Sequence, residues 1–203
     1  VTGVLTDLDE AGASRGLESL RAEVRRRESV LAAAGIRDIA EGAADLPRLV
    51  VVVDEFATLV SAPGELASLF VDLTARGRAL GIHVVLGTQR ATGVFRDALL
   101  ANCLLRVALR TADAADSRLM IGDDSAIRIP AGARSAGTAL VKRSGDDRPV
   151  PVRIAVAGDD LIAQVADRST GAPARAPWLE PLPAVVPFPT LPAEGESRIL
   201  VGL

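Results

Sequence analysis

The residues of this sequence best suited to chemistry follow two apolar runs. Asp54 and Glu55 come directly after LVVVV, and Thr88, Gln89 and Arg90 come directly after IHVVLG. Two carboxylates at the tip of a strand suit a site that handles a metal ion and an activated water molecule. The alternative for both groups is a polar strand end that only caps the strand or is solvated.

The apolar run before Asp54 predicts a strand that is buried on both faces. Four of its five residues are valines, and no polar residue interrupts it. Runs of this kind are typical of parallel sheets covered by helices. Such sheets place ligands beyond the carboxyl ends of their strands, which is where the two acids lie.

Helical and strand-like patterns alternate along most of the chain. Apolar spacing predicts helices at residues 14–34, 63–79, 95–101 and 113–120, and strands at residues 1–6, 49–53, 82–87 and 104–109. Two further strands, at residues 138–142 and 150–154, flank a Ser-Gly-Asp-Asp turn and predict a hairpin. The alternation indicates an α/β fold with a mostly parallel sheet, helices on both faces and a C-terminal hairpin.

Composition indicates a folded domain from a reducing compartment. The 203 residues are 49% apolar and 24% charged, enough for one sizeable domain. Cys103 is the single cysteine, so we expect a small core residue and no internal disulfide. No run of eighteen apolar residues occurs, and the chain opens on Val1, which we interpret as a sign of a fragment.

Net charge limits how nucleic acid could bind. The net charge is −3 and the pI about 5.3, whereas domains that bind nucleic acid over a broad surface are usually basic. Any such contact must be local, and the loop at residues 91–97, with Thr92, Phe95 and Arg96, is the better candidate. The Arg25-Arg26-Arg27 run is interleaved with glutamates, which predicts a solvated helix face, with nucleic-acid contact as the alternative.

Several segments, taken in order, resemble the FtsK/SpoIIIE family of RecA-like P-loop motor ATPases. LVVVVDEF at residues 49–56 is similar to the family's Walker B element, and RGRALGIH followed by TQR is similar to its later signature. Similar residues also occur at Ala101-Asn102, at Arg106 and at Asp116-Ser117-Arg118. The resemblance covers about residues 1–157, extends to the EssC/EccC ATPases of type VII secretion, and implies a RecA-like P-loop fold.

The resemblance implies roles for the strand-end residues and names ATP and Mg²⁺ as cofactors. Glu55 is the expected general base for the attacking water, and Asp54 the residue that contacts Mg²⁺ through the ion's bound water. Gln89 is the expected sensor of the γ-phosphate or the water, and Thr88 is expected to contact the nucleotide. His83 is expected to be a packed structural residue rather than a ligand.

Three arginines could act in trans on a neighbouring subunit's nucleotide, because a positioned guanidinium strongly stabilises phosphoryl transfer. They are Arg76, Arg78 and Arg90. Salt bridges at a helix end or an interface are the alternative role.

The resemblance also implies what the whole protein does. Double-stranded DNA is the first choice of partner, moved by a homo-oligomeric ring, a hexamer, at the inner face of the plasma membrane. A type VII secretion ATPase that moves a secreted protein is the alternative. A degenerate module that regulates adjacent ATPase modules without turnover is a third reading.

One departure from the family pattern concerns the phosphate-binding loop. No G-x-x-x-x-G-K-[ST] occurs in the 203 residues, so this chain alone is not expected to hydrolyse ATP. We therefore expect residues 1–167 to be the C-terminal portion of the ATPase domain. Residues 168–197, which hold most of the prolines, are expected to be a linker, and residues 198–203 the start of a further module. We also expect apolar surface around residues 50–53 to be exposed and the isolated chain to be poorly soluble.

Overall fold

The computed structural model describes residues 10–42, 45–61, 66–168 and 175–178. The predicted strand at residues 1–6, the first residues of the predicted second helix and the expected further module lie outside these ranges. The helices are α1 (Glu10–Ala33), α2 (Phe56–Ser61), α3 (Leu66–Arg76), α4 (Asp97–Leu100), α5 (Ala114–Ile121) and α6 (Asp159–Arg168). The strands are β1 (Leu49–Val53), β2 (Ile82–Leu86), β3 (Leu105–Ala108), β4 (Thr138–Arg143) and β5 (Val150–Arg153).

Helix α1 forms because its apolar residues recur at helical spacing and give one buried stripe. Leu17, Leu20, Val24 and Leu31 are each at most 9% exposed and belong to the main core. That core also takes Leu69, Phe70 and Leu73 from α3, as the sequence predicts. The two helices thus cover the same side of the molecule.

The prediction of a solvated arginine face on α1 is wrong for Arg27. Its side chain is buried and donates to the carboxylate of Glu23 at 2.7 Å, to the carbonyl of Leu80 at 2.9 Å and to the carbonyl of Pro47 at 2.8 Å. Pro47 precedes β1 and Leu80 precedes β2. One guanidinium therefore ties the helix to the entrances of both strands, because its fork of five N–H donors can reach three acceptors at once.

Strands β1 and β2 are parallel, with Leu49 opposite Ile82 and Val53 opposite Leu86. Val51 and Ile82 face the core at 8% and 2% exposure, whereas Val50, Val52 and Val85 are 58%, 69% and 53% exposed. The prediction that β1 is buried on both faces is therefore wrong for the described residues. The exposed face of this strand pair, which we call the open face, is covered by none of the elements the structure describes. The predicted exposure of apolar surface around residues 50–53 is confirmed.

The remaining strands form a separate antiparallel sheet in the order β3-β4-β5. Strands β4 and β5 make the predicted hairpin, with Val141 opposite Val150. Within the described residues, the parallel part of the predicted sheet is the pair β1–β2. Strand β3 pairs instead with the hairpin, in antiparallel orientation, with Val107 opposite Val141. A second small core of Ile121, Ala126, Ile129 and other apolar residues lies under this sheet.

Two features near the C-terminal end were not predicted from the sequence: a helix and a packed tryptophan. Helix α6 is exposed along its whole length, and its apolar residues Leu161, Ile162 and Val165 remain 49–58% exposed. Trp178, within the predicted linker, packs against the main core. Within the described ranges, we find no helix that is both long and apolar enough to cross a membrane.

Candidate functional site

The parallel register brings the two polar strand ends side by side. The amide of Gly87 donates to the carbonyl of Val53 at 2.7 Å, and the amide of Phe56 donates to the carbonyl of Gly87 at 2.8 Å. A Cβ on Gly87 would meet the carbonyl oxygen of Asp54 at 2.5 Å, closer than real Cβ atoms approach. Glycine at this position therefore allows the two acids and the following threonine to share one site.

The Glu55 carboxylate is held by three donors at this strand end. It accepts from the Thr88 hydroxyl at 2.6 Å, from the Gln89 amide at 3.1 Å and from the Ala57 amide at 3.2 Å. These hydrogen bonds, that from Thr88 first and that from the Gln89 amide next, lower the pKa of Glu55 because they stabilise the charged form. Glu55 is therefore ionised at neutral pH, and its Oε2, which accepts one of the three bonds, keeps a lone pair that can take a proton.

Asp54 is the free carboxylate of the pair. Its side chain is exposed and makes no hydrogen bond or ion pair with the described residues. The described residues also hold no cluster of three or more His, Cys, Asp or Glu side chains that could bind a metal ion. Mg²⁺ is commonly held by one or two carboxylates together with waters and substrate phosphates, and Asp54 fits that arrangement.

Gln89 contacts Glu55 through its backbone, and its side chain is exposed. Its amide binds Glu55, while its side chain is exposed and free to reach a ligand beyond the strand end. Arg90 is also exposed, and its carbonyl lies 3.0 Å from the Thr88 hydroxyl. The structure thus brings together Asp54, Glu55, Thr88, Gln89 and Arg90, as the strand pattern predicts.

Asp116 is a further residue that the sequence did not assign to this site. Its buried carboxylate accepts from the amides of Ala91 and Thr92 at 3.0 and 2.7 Å and from the Thr92 hydroxyl at 2.6 Å. Burial raises the pKa of Asp116, but these hydrogen bonds together outweigh burial, and the net effect is a lowered pKa. The only signal in the sequence was that the triplet Asp116-Ser117-Arg118 resembles the FtsK/SpoIIIE family. That resemblance does not identify the loop at Ala91 and Thr92 as the hydrogen-bond partner of Asp116.

The predicted substrate loop at residues 91–97 is exposed in part. Phe95 is 8% exposed, and its ring stacks on that of Phe56 with centroids 5.8 Å apart. Thr92 and Arg96 are both exposed, although the Thr92 hydroxyl donates to Asp116. The expectation that Phe95 contacts substrate is therefore wrong, because the ring fills the core behind the two acids.

Arg76 and Arg78 lie at the opposite end of β2 from the strand-end site. The strand between them and Thr88 spans about 13 Å, given a rise of roughly 3.3 Å per residue. Arg76 forms ion pairs with Asp72 on its own helix and with Glu28 on α1. The side chain of Arg78 is exposed and has no ion pair within the described part of the chain. Neither can reach Glu55 of its own chain, so any role in catalysis would be in trans.

His83 and Cys103 differ in how well their predictions hold. His83 is exposed on the open face, with its Nε2 3.5 Å from a guanidinium nitrogen of Arg48, so the prediction of a packed residue is wrong. Cys103 is partly buried against the main core, and burial raises the pKa of its thiol. This agrees with the prediction of a small core residue.

Comparison with known sequences identifies relatives of the chain. A model of the FtsK/SpoIIIE family matches residues 2–142. The chain is 33% identical over 141 residues to the type VII secretion system protein EssC of Staphylococcus aureus strain Mu50, which covers 64% of the chain and 10% of that protein. It is 34% identical over 142 residues to the ESX secretion system protein EccC of Thermomonospora curvata, at 64% and 11% coverage. The chain thus spans about a tenth of the length of these relatives.

Comparison with solved structures also finds type VII secretion ATPases. The cytoplasmic domain of the Thermomonospora curvata type VII secretion ATPase EccC matches with a TM-score of 0.70 and 27% identity, over 84% of this chain and 22% of that one. ATPases 2 and 3 of the same EccC, in complex with a signal sequence peptide, match at 0.66 and 25%, over 88% and 34%. The pCW3 conjugation coupling protein TcpA with ATPγS matches at 0.65 and 24%, over 79% and 50%, which shows the fold alone.

Proposed function

Because this chain belongs to the FtsK/SpoIIIE family of P-loop ATPases, we propose that its strand-end site activates water for ATP hydrolysis in a motor protein. The observation that carries the proposal is the pairing of the two acids. Glu55 lies within hydrogen-bond distance of the polar end of β2, and the free carboxylate of Asp54 is its neighbour. The Glu55 carboxylate can take a proton while the Asp54 carboxylate faces a cation.

Each residue has a distinct task in this proposal. Glu55 accepts the proton of the attacking water, and Gln89 orients that water or the terminal phosphate through its exposed side chain. Asp54 binds a water of the Mg²⁺ shell, and Mg²⁺ when bound neutralises charge on the phosphates. The phosphate-binding loop is absent from these 203 residues, so that cradle must come from residues outside them.

The experiment is ATP turnover by the full-length protein that contains these residues. We expect Glu55→Gln to lower kcat by about 100-fold or more, since general-base catalysis contributes roughly 10²–10⁴-fold, while ATP binding is retained. Glu18→Gln, a change on the exposed surface of α1, is the matched control. Turnover by E55Q equal to wild type would overturn the proposal, and nucleotide binding without any wild-type turnover would instead favour a regulatory module.

We propose a secreted protein as the substrate of the whole motor. The relatives at 33% and 34% identity are secretion proteins, and a solved neighbour at 25% identity is a complex with a signal sequence peptide. The net charge of the chain is −3, which does not favour broad contact with a phosphate backbone. We place the motor, as an oligomeric ring with adjacent ATPase modules, at the cytoplasmic face of the membrane.

Double-stranded DNA is the second candidate substrate. The family includes DNA translocases, and the segment at residues 91–102 resembles the translocase type more than the secretion type. It has Ala91 where the translocases usually have a proline after Thr-Gln-Arg. ATP turnover measured with double-stranded DNA or with a signal peptide, over a range of salt concentrations, separates the two. Stimulation by the peptide alone supports the secretion motor, and salt-sensitive stimulation by DNA alone supports the translocase.

A further inference from the structure

The hydroxyl of Thr88 lies between two acceptors. Its Oγ1 is 2.6 Å from Glu55 Oε1 and 3.0 Å from the carbonyl oxygen of Arg90. A threonine hydroxyl carries one hydrogen, so it donates well to only one of them at a time. The shorter distance to a charged acceptor favours Glu55 in this structure, as charge-assisted hydrogen bonds are the stronger class.

Release of Glu55 from the end of β2 would leave neither of its two donors there unpaired. Thr88 would donate to the Arg90 carbonyl, which already lies within hydrogen-bond distance. The amide of Gln89 belongs to an exposed residue, so water can replace the carboxylate there. The third donor, the Ala57 amide, follows Glu55 in the chain and is not on this loop. Release from the loop therefore avoids a buried unsatisfied donor, which is the main cost of breaking such bonds.

The second acceptor is fixed in place by Asp116. The carbonyl of Arg90 and the amide of Ala91 belong to one planar peptide group and point in opposite directions. Asp116 accepts from that amide at 3.0 Å and from the amide and hydroxyl of Thr92. Because the N–H side of the peptide group is anchored on α5, its C=O side stays directed at Thr88.

We propose that Thr88 is a positioning residue that holds Glu55 in a resting position and releases it by turning its hydroxyl to the Arg90 carbonyl. The inference rests on the proposed function, because it assumes that Glu55 is the base. It adds a hydrogen bond that restrains the base. A conformational change of the motor could alter this bond and so change the rate of hydrolysis. Movement of α5 would shift the Arg90 carbonyl, and with it the balance between the two acceptors.

The test is Thr88→Val in the full-length protein, with Thr88→Ser as the conservative variant. Valine is nearly isosteric and lacks the hydroxyl. We expect T88V to raise kcat without added polymer by roughly two- to fivefold, because one partly exposed hydrogen bond no longer holds Glu55. T88S keeps the hydroxyl, so its kcat should lie below that of T88V. Thr74→Val, on α3, removes a hydroxyl that donates to the helix carbonyl of Val71 and is the matched control.

A structure with bound ATPγS gives a second readout that does not depend on how T88V folds. We expect Thr88 Oγ1 within hydrogen-bond distance of the Arg90 carbonyl and no longer bonded to Glu55. A retained Thr88–Glu55 bond overturns the inference, as does kcat of T88V equal to or below wild type. If wild type hydrolyses ATP, such results leave the proposed function standing. If wild type has no turnover at all, the proposed function fails and this inference fails with it.

Discussion

At the residue scale, the geometry of the site depends on Gly87, where the two strand ends come closest. Substitution by alanine would drive a Cβ to 2.5 Å from the backbone oxygen of Asp54, and a backbone atom cannot swing away as a side chain can. The end of β2 would have to move away from β1. Gln89, at the end of β2, would then be displaced from Asp54 and Glu55 at the end of β1.

We therefore expect Gly87→Ala to lower the free energy of unfolding by about 2 kcal/mol, as overpacking typically does, and to reduce ATP turnover. Urea unfolding and turnover of the full-length protein measure the two effects. Gly158→Ala is the matched control, since a Cβ there would meet no atom within 4 Å. Equal effects of the two substitutions would contradict this view of the strand ends.

Asp116 predicts a pH dependence at the same scale. Its pKa is lowered in the folded chain, so its contribution to stability is present above its unfolded value of about 3.9 and is lost as the pH falls below it. We expect Asp116→Asn to be less stable than wild type at pH 7 and to lose less stability between pH 5 and pH 3. Thermal melts across this range measure it, with exposed Asp147→Asn as control. Parallel pH profiles for wild type and D116N would argue against it.

At the element scale, Arg27 connects a helix to the starts of two strands. The guanidinium is 3% exposed and makes its contacts to α1, to Pro47 before β1 and to Leu80 before β2. Burial raises the pKa of Glu23, but hydrogen bonds from Arg26 and Arg27 outweigh it and lower the pKa overall, so the pair is charged. Removing Arg27 would leave the carbonyl of buried Leu80 and part of the Glu23 carboxylate without their partner.

We expect Arg27→Met to destabilise the chain by about 3 kcal/mol, the range found when one partner of a buried ion pair is removed. Arg25→Met, two residues earlier and exposed, is the matched control and should change stability by no more than about 0.5 kcal/mol. Chemical denaturation followed by far-UV circular dichroism measures both. A small loss for R27M would mean that these contacts contribute little to joining helix and sheet.

At the scale of the whole molecule, the open face of the parallel pair is the main apolar surface beside the site. Val50, Val52 and Val85 lie next to one another in register and are all more than half exposed. Adjacent exposed valines on a sheet favour self-association. This is the physical basis of the expected poor solubility of the isolated chain.

We expect the double substitution Val52→Thr, Val85→Thr to lower self-association of the isolated chain while leaving its fold unchanged. Threonine keeps the β-branched shape and adds a hydroxyl to the exposed side. Light scattering against concentration measures the effect. Val156→Thr changes a still more exposed valine, at 93%, outside any strand and is the control. A monodisperse wild-type chain would show that this face does not drive association.

Local patterns in the sequence determined much of this protein. Helix α1, strands β1 and β2, the β4–β5 hairpin and helix α5 were all predicted near their observed positions. Periodicity and turn residues act over a few neighbouring positions, so one sequence shows them. The α/β class and the FtsK/SpoIIIE resemblance are confirmed. The meeting of Glu55 with Thr88 also followed, because carboxyl ends of parallel strands share one edge.

Only the tertiary structure decided which side chains are buried and which partners they find. Arg27 lies in the core although its neighbours are charged, Phe95 fills the space behind Phe56, and Asp116 reaches a loop 25 residues earlier. The sequence predicted that the valines of β1 are buried on both faces of the sheet, yet two of the four, Val50 and Val52, are exposed. Each of these outcomes depends on contacts between elements far apart in the chain. Burial is set by what covers a residue, which its own sequence neighbourhood does not encode.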